Sequence, residues 1–188
     1  MKRITLCAVL GLSMLTTAVQ AQGWVGFKPG AFAKLRSSTV SEAAGMTMES
    51  VTEMKTTLKE ISATEATLEV ETSVTSKVNG MESKVPTQTT ITKLPLAASG
   101  PAPTDTPSAA PSPAVKVDTA QETLTIGGKP IKCTVSAVVT EAEGAKITAK
   151  SWTSDDVPGG LVQSESTTEG GPAKAVIKTE LVEFDAKK

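Results

Sequence analysis

The 188-residue sequence contains no histidine and no tyrosine. Without an imidazole, Ser-His-Asp and Cys-His nucleophilic catalysis, His-ligated zinc and histidine-based pH switching are all excluded. Aromatic side chains are scarce. Trp24, Phe27, Phe32, Trp152 and Phe184 make up the whole set, which leaves few platforms for stacking sugars or unpaired bases. Cysteine is nearly absent, with only Cys7 and Cys133. Charge of one sign is lacking too: the formal net charge is −1, no basic stripe occurs, and nucleic acid is not an expected partner. No apolar run reaches the roughly 20 residues of a spanning helix, so no transmembrane segment is expected.

What is present begins with a leader pattern. Met1-Lys2-Arg3 precedes an apolar run from Ile4 to Leu15, and small residues follow up to Ala21. A basic, then apolar, then small-residue order is that of a secretory signal peptide, with cleavage expected after Ala21. Cys7 has no small residue directly before it and sits too early for a lipid anchor. Loss of residues 1–21 removes two basic residues and no acid, leaving 17 basic against 20 acidic side chains. Cys133 then remains as a lone thiol, so stability must come from packing and not from an intramolecular disulfide. The expected location is secreted or periplasmic.

Threonine and valine dominate the rest, a composition that favours strands. Asn79-Gly80 suits a type I′ hairpin turn. A two-residue turn there places Val78 opposite Met81, Val74 opposite Val85, Val70 opposite Thr89 and Leu68 opposite Ile91, all on one face. Lys77, Glu82, Glu69, Glu71 and Lys84 then fall on the other face. Gly127-Gly128 predicts a second hairpin with Leu124 opposite Ile131. Ala142-Glu143-Gly144 suits a three-residue loop pairing Val139 with Ile147, and Glu169-Gly170 a turn that sets Glu165 against Lys174 and Val162 against Ile177. Residues 46–61 carry two patterns. Val51, Met54, Leu58 and Ile61 recur at helical spacing behind a capping box of Ser50 and Glu53, whereas Met46, Met48, Met54 and Leu58 share one side of a strand. Thr47, Thr52, Thr56 and Thr57 lower helix propensity and favour the strand. The expected fold class is mainly β: an antiparallel meander forming a curved sheet or half-barrel, with little helix apart from the signal peptide. Residues 22–188 are read as a single β domain with a Pro-rich flexible insertion at 95–114, where proline withholds ladder donors and bulky apolar groups are few.

Candidate chemistry is thin. Cys133 alternates in phase with Ile131 and Val135 and should point inward as a small hydrophobe. Asp155-Asp156 precedes Val157-Pro158-Gly159-Gly160, which fits solvated turn-formers better than calcium ligands, because calcium needs about six or more oxygens. No cofactor, metal or catalytic residue is called for, and an enzyme is not expected. The candidate ligand-contacting residues are Trp24, Met54 and Trp152, large or pliable apolar groups in a chain that has few.

Trp24 with Pro29-Gly30, then Glu122 to Lys129 leading to Cys133, then Trp152 to Val162 through Val157-Pro158-Gly159-Gly160, resembles a loose group of uncharacterised exported bacterial proteins. Their long antiparallel strands in turn resemble the half-barrel of the periplasmic lipoprotein carriers of the LolA and LolB type. Those carriers close a hydrophobic concavity with helices, and this sequence predicts no such helix. One-sided strands with a pliable methionine lining point to a non-enzymatic exported protein that binds an apolar ligand, lipid or lipoprotein on a concave sheet face. The alternative is a structural or protein-interaction module contacting an envelope protein through a sheet edge or the Pro-rich loop.

Overall fold

The computed structural model describes residues 22–43, 45–96, 116–142, 144–170 and 173–188. The leader and residues 97–114 of the expected insertion lie outside these. Nine strands follow one another: β1 (Phe32–Ala43), β2 (Met46–Ile61), β3 (Glu65–Val78), β4 (Met81–Pro95), β5 (Lys116–Ile126), β6 (Lys129–Ala142), β7 (Ala145–Thr153), β8 (Leu161–Glu169) and β9 (Ala173–Asp185). All pair antiparallel in one open curved sheet with the order β4-β3-β2-β1-β9-β8-β7-β6-β5. The segment 46–61 is a strand throughout, and β4 runs on to Pro95, just into the stretch expected as insertion.

The sheet is two runs of hairpins sewn together at β1 and β9. Phe32 pairs with Asp185 and Ala43 with Ala173, so the first and last strands meet at its centre, while β4 and β5 form its two edges. Long-range closure of this kind is invisible to hairpin-by-hairpin reading, which supplies only local neighbours.

Turn chemistry sets the local registers. Asn79 and Gly80 both have positive φ (48° and 87°), as a type I′ turn requires. Val78 faces Met81 and Val74 faces Val85 as expected, but one step further the pairing slips. Thr72 faces Gln88, so Pro86 and Thr87 together oppose Ser73. A proline cannot donate to the ladder, and an edge-strand bulge accommodates it. Past the bulge Val70 faces Thr90 and Leu68 faces Thr92, not Thr89 and Ile91. Leu124 faces Ile131 as predicted. The β6–β7 connection is shorter than predicted: Ala142 pairs with Ala145, which sets Ile147 against Thr140 and Thr148 against Val139. The β8–β9 connection is longer. Glu165 faces Lys178, and Ser166 faces Ile177.

Two apolar clusters anchor one end of the sheet. In the first, Trp24, Phe27 and Ala31 of the N-terminal segment pack on Leu58, Ala66 and Leu68. In the second, Ile131, Cys133, Val135 and Trp152 join Val157, Val162, Leu181 and Ala33. Cys133 is fully buried, and burial pushes its thiol pKa up. That environment withholds the thiolate needed for reactivity.

Candidate binding groove

The registers sort the side chains by charge. Across β1 to β4, one face carries Leu35, Met54 and Thr72 in one row, Thr52, Val74 and Val85 in another, and Met48, Val78 and Met81 in a third. None of the residues paired on that face of the four strands is charged. The same face continues through Ile177, Ser166 and Ala149 of β9, β8 and β7, again without charge. The opposite face holds the ions: Lys34 bridges Glu53 at 3.1 Å, Lys59 bridges Glu69 at 3.1 Å, and Lys93 bridges Glu65 at 3.1 Å.

A groove of about 210 Å³ opens on the uncharged face. Ala33 and Leu35 of β1, Met54 and Thr56 of β2, Leu68 and Val70 of β3, and Thr92 and Leu94 of β4 form its floor, while Leu161 flanks it from β8. Its remaining wall comes from outside the sheet, where Trp24 meets Pro158 and Gly159. Two glycines permit that junction. The Gly159 amide donates to the Gly23 carbonyl at 2.9 Å, and a Cβ on Gly23 would lie 2.5 Å from the Gly159 carbonyl carbon. Gly159 has φ +79°, and a Cβ there would stand 3.3 Å from the Trp24 ring. Two further backbone hydrogen bonds hold the segment: Gly30 donates to Leu58 at 2.7 Å, and Lys28 donates to Lys187 at 2.7 Å.

Among the described residues the lining contains no acid, base or thiol; its polar side-chain groups are the hydroxyls of Thr56 and Thr92 and the indole N–H of Trp24. Such a site can hold apolar matter and accept or donate a hydrogen bond, but it has no group suited to proton transfer at neutral pH. A larger depression of about 320 Å³ lies on the charged face among Phe32, Lys34, Glu53, Lys55, Glu71 and Glu183. Its polar, ion-paired walls make it a solvated surface despite its size. Among the described residues, no group of three Cys, Asp or Glu is placed to hold a metal ion. Asp156 is paired with Lys188 at 2.7 Å, and that hydrogen bond lowers its pKa.

Of the residues singled out in the sequence, Trp24 and Met54 both line the groove, Trp24 from its wall and Met54 from its floor. Trp152 lies apart, buried in the second cluster. Its indole Nε1 donates to Glu122 at 2.7 Å, and the Lys150 ammonium sits 4.3 Å from the ring centroid. That hydrogen bond, reinforced by Lys150, holds the Glu122 carboxyl below the usual carboxylate range. Leu35, Leu68, Leu94 and Leu161 complete the groove and were not singled out from sequence. Strict alternation of Lys34 and Arg36 with Ala33, Leu35 and Ser37 was the signal that could have found Leu35.

No family model matches the chain, and no curated protein does. Three solved structures are similar at low identity. A hypothetical protein from Chlamydia trachomatis aligns over 90% of this chain and 92% of its own, at 9% identity and a TM-score of 0.35. A putative outer membrane lipoprotein-sorting protein domain from Vibrio parahaemolyticus aligns over 90% and 88%, at 6% identity and a TM-score of 0.25. A DUF1329 family protein from Desulfovibrio piger aligns over 90% of each chain, at 8% identity and a TM-score of 0.17.

Proposed function

We propose that this chain is an exported, non-enzymatic binding protein that holds an apolar ligand, such as an acyl chain of a lipid or lipoprotein, in the groove lined by Trp24 and Met54. One observation carries the reading: charge is sorted wholly to one face of β1 to β4, and the groove sits on the other, lined by leucine, methionine and tryptophan. A soluble sheet with nothing to bind gains little by clearing one broad face of charge, whereas an apolar guest requires it. Met54 supplies a pliable thioether at the floor. Export is read from the basic, apolar and small-residue order of residues 1–21.

The test is uptake of a fluorophore-tagged alkyl chain by the purified protein, with native mass spectrometry of protein taken from its own envelope. Saturable uptake is expected. Met54→Glu should weaken it at least tenfold while leaving the far-ultraviolet circular dichroism unchanged, because a carboxylate in the groove floor must be desolvated. Absence of both co-purified lipid and probe uptake would dismiss the reading.

A second reading, an interaction module of the envelope, is favoured by β4. Among the described residues this edge strand leaves one side of its ladder unpaired, and it exposes Met81 and Ile91. Crosslinking in intact cells that captures only monomer would count against it.

A further inference from the structure

We infer that the ligand is a single-chain amphiphile with an uncharged, hydrogen-bonding headgroup, of the monoacylglycerol class, and not an anionic lipid. This rests on the binding role proposed above and specifies its ligand. Three observations converge. The first is volume: about 210 Å³ falls below the roughly 300–1,000 Å³ usual for sites that enclose a whole drug-sized molecule. It suits one hydrocarbon chain and not two or three. The uncharged face runs on from Met54 past Val74 to Met48, Val78 and Met81, giving a longer chain a place to lie.

The second is charge. Among the described residues no lysine or arginine lines the groove, so an anionic headgroup seated there would meet no cation. The nearest lysines by register, Lys34, Lys55 and Lys93, fall on the other face, where Lys34 and Lys93 pair with Glu53 and Glu65 and Lys55 sits over the Phe32 ring. Desolvating an unpaired anion against Trp24 and Leu94 is costly, and the cost is not recovered. The third is what the lining does offer: the hydroxyls of Thr56 and Thr92, each able to donate to an ester carbonyl and accept from an alcohol, and the Trp24 indole N–H, a donor only. Neutral oxygen groups are the complement of that lining.

The experiment is competition against the tagged alkyl chain with two lipids of equal chain length, a monoacylglycerol and a lysophosphatidylglycerol, on the full chain below their micellar concentrations. The neutral lipid should compete at least tenfold more strongly. Thr92→Lys, a change on the edge strand that places a cation at the groove, should narrow or reverse that ratio. Thr56→Lys serves as an independent variant should the first fail to fold. Equal or stronger competition by the phosphate lipid in the unmodified protein would overturn the inference while leaving the binding role intact. A ratio unmoved in a folded lysine variant would also overturn it, since discrimination would then arise elsewhere. Failure of the tagged chain to bind at all would remove the binding role itself.

Discussion

Gly23 and Gly159 touch backbone to backbone, and that contact fixes where Trp24 stands. Gly159→Ala forces an L side chain into φ +79° and against the indole. The left-handed conformation alone costs about 1–2 kcal/mol, and crowding adds to it. For a domain of this size, a loss of about 2 kcal/mol lowers Tm by roughly 4–8 °C. Gly26→Ala is the control, with a similar φ of +88° but nothing within 4 Å; calorimetry should show it losing clearly less. Glu122 offers a second residue-scale check. Its folded pKa lies below its ordinary value of 4.5 because it accepts from Trp152 and Lys150. The carboxylate therefore stabilises the fold above that ordinary value, and the contribution drains away as pH falls through the lower, folded-state pKa. Urea midpoints followed from about pH 6 to about pH 3 should fall less steeply for Glu122→Gln than for the unmodified chain.

At the scale of elements, the bulges decide which side chains are buried. The extra residue at Pro86-Thr87 moves Ile91 from the expected groove face to the other, where it is 56% exposed, and puts Thr92 opposite Leu68. Leu68→Ala should therefore cost about 2–5 kcal/mol in urea unfolding, as for any large-to-small change in a packed site. Ile91→Ala should stay within about 0.5 kcal/mol. Equal losses at the two positions would mean that the register does not slip. The hairpin at Asn79-Gly80 was legible because its turn residues and both flanking alternations agree on one pairing. The bulge was not, although Pro86 marked the spot: a proline announces a missing donor without saying whether the ladder absorbs it by insertion or by ending. The connections at 142–145 and 169–173 failed for a related reason. Glycine marks a turn but does not count its residues, and each alternative length leaves similar side chains opposite one another.

The whole molecule depends on the seam between β1 and β9. Among the described strands the two hairpin runs pair only there, with Ser37 and Thr179 sharing a hydrogen bond of 3.1 Å across it, and Leu181 and Phe184 of β9 packing with the Cys133 cluster. Deleting residues 173–188 should abolish cooperative unfolding of both runs, read as loss of slow amide exchange in β2 and β7 alike. Persistence of a protected β1–β4 unit would show that the seam is dispensable.

The chain alone settled the class of structure and the chemistry it forgoes. Threonine and valine in alternation specify extended backbone, and the missing histidine removes whole mechanisms, because both follow from residue type and near neighbours. It also carried the sorting of charge by odd and even positions within each strand. Only the tertiary structure decided that β1 and β9 meet at the centre, that Trp24 is pressed against Gly159, and that Met54, Leu68 and Leu161 share one groove. Those contacts join residues far apart in the chain, where many pairings satisfy the same alternation and only mutual packing selects among them.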